Sequence, residues 1–393
     1  MRKTGPNLKL PCLLLAACLL PAGSAAAAGT SSAAFLRIGW GARPAAMGDA
    51  FTAAADDVDA LYWNPAGLNQ IKRLQQTFGH NNWLDGLNAE HAAFALRRDP
   101  KSVIGAGVGF LSYGDIERGN KFGFTEGFYS ASDMSLLFSY ARQFKPRLAV
   151  GGTFKIIRER IESDTAQSFA LDAGAQYDYS PKLKLGATLK NLGTGLTLSK
   201  TSGSLPMALR AGAAYQYRKD LLLTSDVSLA FDDALSLHFG GEYLYPTMVK
   251  GVRLALRAGF KTSSLGYLGA LSGLSLGFGL EKGGLGLDYA LSPYGDFGMA
   301  HRLSLKIKFD ALAAAPAPIP ELEVEKDGRK VRRGAAVVYA ETLQWFSAKA
   351  ASEKLDRGEQ AQLLQKIIDK FEPLGVDVTG AKAELAGLKN GRK

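Results

Sequence analysis

The chain has 393 residues, 47% hydrophobic and 21% charged, with 45 glycines and a formal net charge of +10. That apolar content excludes a disordered protein, and the length admits more than one domain. The basic residues are spread along the sequence, with no aromatic-interleaved basic cluster and no zinc-finger spacing, so nothing in them marks a nucleic-acid partner.

Residues 1–28, MRKTGPNLKLPCLLLAACLLPAGSAAAA, set a basic start before a short apolar centre and a run of small residues, the pattern of a secretory signal peptide cleaved near Ala28. Cleavage there removes Cys12 and Cys18, the only two cysteines, and excludes disulfides and cysteine chemistry from the mature chain. Leu15-Ala16-Ala17-Cys18 also resembles a lipoprotein box in which Cys18 would be lipidated, but the apolar stretch continues past it, which favours plain cleavage. No later segment supplies the roughly 20 apolar residues of a membrane-spanning helix, so any crossing has to be made by strands.

Residues 29–70 are rich in Ala and Gly and show no strand alternation. A segment of that size is too small to fold alone, and a strand follows it at once, so its expected place is inside a barrel as a hatch or plug. Within it, Trp63-Asn64-Pro65-Ala66-Gly67 reads as a rigid anchoring turn. Asn64 is a helix cap, Pro65 a preset first helical position, and Gly67 a point of close backbone approach.

From about residue 71 to 310 the apolar residues alternate with period two. Leu183, Leu185, Ala187 and Leu189 oppose Lys182, Lys184, Thr188 and Lys190; Leu303, Leu305, Ile307 and Phe309 oppose Arg302, Ser304, Lys306 and Lys308. A soluble sandwich alternates too. The connections discriminate: RRDPK, FKPR, YSPK, YRKD and EKGG are tight, whereas residues 113–133, 159–168, 191–206 and 262–273 form long ones, the sorting expected of a transmembrane antiparallel β-barrel of about fourteen strands. Phe144, Tyr177, Tyr179, Tyr215, Tyr217, Tyr243, Tyr245 and Phe309 fall near the tight turns on the apolar parity, as an interfacial girdle would. Lys155, Lys184, Arg210, Arg253 and Arg257 share the other parity with Asp172, Asp226, Glu242 and Asp288, which predicts a lumen of paired charges. In the third strand Gly105, Gly107 and Gly109 lie on that interior parity, where they make room for the hatch or allow a kink.

Residues 311–334 read as an Ala/Pro linker ending in the basic run KDGRKVRR, a solvated approach to the last segment of the chain. Residues 335–393 have helical apolar spacing, as at Leu364, Ile367, Ile368 and Phe371, and predict a small α-helical extension, periplasmic if the barrel stands in an outer membrane, with room for a partner there.

GARPAAMGDAFTAAADDVDALYWNPAGL, LPMALRAGAAYQY and GLGLDYALSPYGDFGMAHRLSLKIKF together resemble the PorV/PorQ branch of the FadL-type outer-membrane transporter family. The Asn64-Pro65-Ala66 core is the part shared with the wider family. The resemblance implies a fourteen-stranded barrel with a plugged lumen, and in the transporters a third strand kinked beside the plug as a side exit. The long helical extension departs from the simplest family pattern.

His80, His91, His238 and His301 are the four histidines, and none has metal-site spacing; no nucleophile elbow or phosphate loop is present. The interior carboxylates Asp226 and Glu242 fit charge pairing better than acid–base work. The expectation is therefore a plugged outer-membrane barrel in contact with lipid, without catalytic residues, metal or cofactor. It would handle a hydrophobic small molecule, with Phe51, Leu61, Tyr62 and Trp63 as pocket candidates between hatch and wall. Two alternatives stand: a secretion or surface-attachment accessory that holds exported proteins through residues 112–132, and a soluble periplasmic all-β binding protein.

Overall fold

Alternating stretches of the chain pair edge to edge until the last meets the first. The computed structural model describes residues 31–122, 124–198, 201–263, 265–309, 321–326, 329–353, 355–374 and 376–389; the expected signal segment with Cys12 and Cys18, and the Ala/Pro part of the linker, lie outside these. The strands are β1 (Leu74–Asn82), β2 (Asn88–Asp99), β3 (Ser102–Gly119), β4 (Thr125–Lys145), β5 (Leu148–Ile161), β6 (Asp164–Ser180), β7 (Leu183–Gly193), β8 (Leu196–Leu198), β9 (Thr201–Gly203) and β10 (Ala208–Arg218). They continue with β11 (Leu221–Ala230), β12 (Ser236–Tyr245), β13 (Val252–Lys261), β14 (Leu274–Lys282), β15 (Leu285–Pro293), β16 (Met299–Lys308), β17 (Glu321–Lys326) and β18 (Arg329–Gly334). β1–β7 and β10–β16 make a closed barrel of antiparallel neighbours, sealed where β1 pairs with β16, as in Gln75↔Lys308 and Asn82↔His301. The expected fold, a barrel of about fourteen strands with a small helical extension, is met.

Side-chain parity does what the alternation required. Phe94, Phe138, Phe154, Phe169, Phe239, Leu256, Leu303 and Leu305 are exposed on the outer face, while Lys155, Arg210, Asp226, Arg257 and Asp288 are buried inside. A continuous apolar belt of this extent is stable only against an apolar surrounding. No helix among the described residues is long and apolar enough to cross a membrane, which leaves the strands to do so.

Two of the connections expected to be long loops are instead strands. β3 and β4 run on pairing beyond Ser112, through Asp115↔Ser130 and Ile116↔Tyr129, and β5 and β6 pair as far as Ile161↔Asp164. The β5–β6 extension still covers core on one face, Ala166 and the neighbouring Ile157 being buried with Ala33, Phe35 and Leu36, whereas the β3–β4 ribbon beyond Tyr113 is largely exposed. The connection between β7 and β10 folds back as the small hairpin β8–β9.

The chain divides into two compact units, the second starting at Ala314. Its basic run is not a flexible approach but half of a hairpin: β17 and β18 pair with Val324 opposite Val331. Helices Ala335–Ser352, Arg357–Phe371 and Thr379–Lys389 follow, with Phe346, Leu364, Ile368 and Phe371 buried between them. Asp356 and Glu359 form a reciprocal capping box on the second helix. Hydrogen bonds from the Thr379 hydroxyl and amide hold Asp377 below the usual carboxylate range, so the stability it lends this unit is full above that range and is lost as pH falls through the lowered value.

The parity assignment makes one strong prediction. Phe154→Arg, mid-strand on the outer face, destabilises the barrel in phospholipid vesicles by about 2–4 kcal/mol, measured by urea unfolding; an unchanged midpoint would show that this face does not meet lipid.

Candidate site between hatch and wall

Residues 31–71 run through the barrel from one rim to the other. At the rim away from the tight turns, Ser32 bonds to Gly203 and Ser204 beside β9, and Arg37 pairs with Asp232 and Asp233. At the tight-turn rim, the Arg97 guanidinium donates to the carbonyls of Asn69 and Ile71. Between these points the hatch is held by charge. Arg43 grips Glu242 through Nε and Nη2 at 2.8 and 3.0 Å, and Arg257 reaches Glu242 and Asp288 at 2.7 Å each. Lys306 meets Asp57 at 2.7 Å, Asp59 at 2.9 Å and Asp288 at 3.4 Å. The wall supplies Lys306, Arg257, Glu242 and Asp288; the hatch supplies Arg43, Asp57 and Asp59. Farther round, Asp226 accepts from the Phe51 and Thr52 amides, Lys261 pairs with Asp49 at 2.8 Å, and Lys155 with Asp172 at 2.7 Å.

The Trp63–Gly67 turn sits at the centre of this arrangement. Asn64 caps the 3₁₀ turn Pro65–Gln70 by accepting from the Ala66 amide, and its amide group donates to Thr52 O at 2.7 Å and Ala175 O at 3.1 Å. One buried side chain thus ties hatch to hatch and hatch to β6. Gly174 and Gly151 on the wall let the turn seat: a Cβ on the first would overlap Asn64 Oδ1, and one on the second would press on Pro65 at 2.6 Å. A Cβ on Gly67 would likewise overlap the Ala55 carbonyl.

Of the four pocket candidates, only Tyr62 borders a cleft. Phe51 and Leu61 are fully enclosed in the hatch core with Trp63, whose indole N–H donates to Trp40 O at 2.8 Å. The cleft lies toward the rim away from the tight turns, lined by Phe35, Leu36, Trp40, Tyr62, His91 and Leu111 among others, and its free space is about 30 Å³. Trp40 fills most of it, stacked between Tyr62 at 5.8 Å and His91 at 5.1 Å. Gly105, Gly107 and Gly109 do face inward, and Leu61 and Trp40 occupy the room they leave; pairing with β2 and β4 is regular along that stretch, without a kink.

A second cleft lies on the outer face. Outside β1, β2, β3 and β16 lies a depression of about 440 Å³, lined by Phe78, Phe110, Leu303 and Leu305 and reaching Gly79, His80, Glu90 and His91. It shares His80, Glu90, His91, Phe110 and Leu303 with the inner cleft. Gly79 is opposite His91 in the β1–β2 register, and the imidazole lies over the place where any Cβ at 79 would be. The β1–β2 ladder runs unbroken through this point, so the two clefts lie on opposite faces of the sheet, with the imidazole on the inner one. A lone glycine at mid-strand in QQTFGHNN is the sequence signal for such a close approach, but its partner could be known only from the register.

Residues 25–231 match UPF0164, an uncharacterised protein family. A UPF0164 protein of Treponema pallidum (strain Nichols) is 29% identical over 199 residues, 45% of this chain and 46% of that protein, so the chain spans about half the length of this curated relative. Among solved structures, the CymD monoaromatic hydrocarbon channel is similar with a TM-score of 0.50 at 12% identity, over 69% of this chain and 96% of that one. The Ralstonia pickettii toluene transporter TbuX gives 0.49 at 16% identity, over 68% and 97%, and a Pseudomonas aeruginosa FadL homologue 0.46 at 10%, over 67% and 98%. At these identities the CymD likeness is one of fold.

Two outcomes are expected from the hatch contacts. Lys306→Met leaves Asp57, Asp59 and Asp288 without their shared cation and lowers stability by about 3–5 kcal/mol in urea unfolding, with partial recovery on adding Asp57→Asn. Gly151→Val unseats the Asn-Pro turn, and limited proteolysis of the purified barrel then cuts within residues 31–71, which the native chain protects.

Proposed function

For a chain that belongs to the UPF0164 family, we propose the role of a non-enzymatic outer-membrane barrel, a FadL-like one, that admits a hydrophobic small molecule between hatch and wall. The carrying observation is the pair of clefts that adjoin at Gly79 and His91: an apolar depression on the lipid-facing side and an aromatic-lined one within, on the two faces of the β1–β2 ladder. Apolar pockets with a few polar groups are where small ligands bind, and the inner cleft has both in Trp40, Tyr62 and the His91 ring stacked on Trp40. In this reading the signal peptide is removed near Ala28, residues 29–70 are the hatch, and the tight turns and the helical unit face the periplasm. The hydrocarbon channels of similar fold support the substrate class without deciding it.

The accessory role proposed for the PorV/PorQ branch is favoured by one feature. The β3–β4 extension ends in exposed Phe122, Phe124 and Phe128, an apolar tip suited to an exported protein rather than to a small molecule.

Uptake separates the two. Cells expressing the chain accumulate labelled toluene faster than cells without it; Gly79→Leu, whose side chain would drive the His91 ring into the inner cleft, returns uptake to background, and His91→Ala, which widens that cleft, raises it. Equal uptake with and without the chain, together with a secreted-protein profile altered by deletion of residues 116–128, would overturn the small-molecule reading in favour of the accessory one.

A further inference from the structure

The barrel carries its exposed charge unequally at its two rims. At the tight-turn rim, residues 72–73, 98–101, 142–147, 178–182, 217–220, 245–253 and 281–284 expose thirteen Lys and Arg side chains against two carboxylates, Asp99 and Asp178. At the other rim, residues 83–90, 113–130, 158–166, 229–236 and 294–301 expose seven carboxylates against four Lys and Arg among the described residues. Three of the tight-turn cations stand on the outer face of the wall itself. Arg98 follows Phe94 and Leu96 on β2, Arg142 lies between Tyr140 and Phe144 on β4, and Lys282 follows Leu280 on β14, all of them exposed together with these apolar neighbours. None of the three has a hydrogen bond or an ion pair among the described residues. Asp99, whose charge reaches Arg142, already accepts from the Ser102 hydroxyl and the Lys101 amide. Tyr177, Tyr215 and Tyr245 are exposed near the same turns.

A long cationic side chain at an outward strand position lays its stem along lipid tails and lifts its head into the phosphate layer, the level at which a tyrosine belt also sits. Arg98, Arg142 and Lys282 therefore face headgroups, whereas a protein docked under the turns would not reach the outer wall. An acidic leaflet attracts such cations, each adding about a fivefold preference close to the surface, and it repels the carboxylates of the other rim. We propose that the tight-turn rim is a collar for anionic phospholipid, a ring of cations that takes the phosphate heads of the leaflet on that side, with Arg98 and Arg142 as its lipid-facing members. The inference rests on the barrel standing in a bilayer and not on the cleft as a ligand route. It gives the barrel a preferred lipid on one side and a preferred orientation in a bilayer of unequal leaflets.

The test uses the full-length mature chain folded into phosphatidylcholine vesicles that carry a trace of spin-labelled phosphatidylglycerol or spin-labelled phosphatidylcholine. Electron paramagnetic resonance reads the fraction of each label held at the barrel. At low salt phosphatidylglycerol is held about two- to fivefold more strongly than phosphatidylcholine. The preference fades in about 1 M sodium chloride, where charges act over only about 3 Å. Arg98→Gln with Arg142→Gln lowers the preference by about half or more, whereas Arg158→Gln with Arg160→Gln on the other rim leaves it unchanged. All variants are first checked for heat-dependent gel mobility, and Lys282→Gln carries the test if the paired tight-turn variant does not fold. Equal retention of the two lipids overturns the collar and leaves the rim to an acidic partner in solution. A preference that survives high salt, or that survives the tight-turn substitutions in folded barrels, overturns it as well. Toluene uptake by cells carrying Arg98→Gln with Arg142→Gln stays that of the native chain, so loss of the collar and failure of the cleft reading are told apart.

Discussion

Lys306 stands inside the barrel with carboxylates of Asp57, Asp59 and Asp288 around its ammonium, and two of those three belong to the hatch. A charge in a lumen walled by strands is costly to leave alone, since one unpaired buried ion costs several kcal/mol. The wall carries the cations its parity puts inside, and the hatch brings much of the anionic complement: Asp57 and Asp59 for Lys306, and Asp49 for Lys261. Arg43 reverses the signs by answering Glu242 on the wall. Barrel and hatch are therefore one electrostatic unit, and neither half is neutral inside without the other.

Within that frame, size decides where things can move. Interior glycines give the hatch its seat at Asn64 and Pro65 and its aromatic contact at Trp40, and those contacts are filled. Gly79 differs because the atoms over it belong to His91, a side chain of the wall itself, with the apolar depression of Phe78, Phe110, Leu303 and Leu305 on its other side. The β1–β2 ladder itself runs unbroken past this point.

The sequence makes the barrel legible because lipid and lumen impose opposite demands on alternate residues; Leu183 to Lys190 alone show the period. The anchoring turn is readable too, since Asn64 and Pro65 act through local rules of capping and backbone geometry. What escapes a linear reading is register. That His91 covers Gly79, or that Asn81 faces Arg302 across more than two hundred residues of chain, depends on which strands meet and at what offset. The pocket candidates Phe51, Leu61 and Trp63 stand out for being large and apolar, but in a segment this short such residues are needed to hold the hatch together. Length misleads at the connections as well: residues 113–133 and 159–168 look like loops by their polar content, yet they pair as strands, and Ala166 still packs with Ala33 and Phe35.

The hatch precedes β1 in the chain and ends up encircled by a ring whose last joint is β1 against β16. Residues 31–71 are joined to the ring covalently only at β1, and every other tie between them is a side-chain or backbone contact. Lys306 and Ser304, on the very strand that closes the ring, bond to Asp57, Asp59 and the Ala42 amide. The hatch thus braces the closing strand from within, so that sealing the ring and seating its filling stabilise one another.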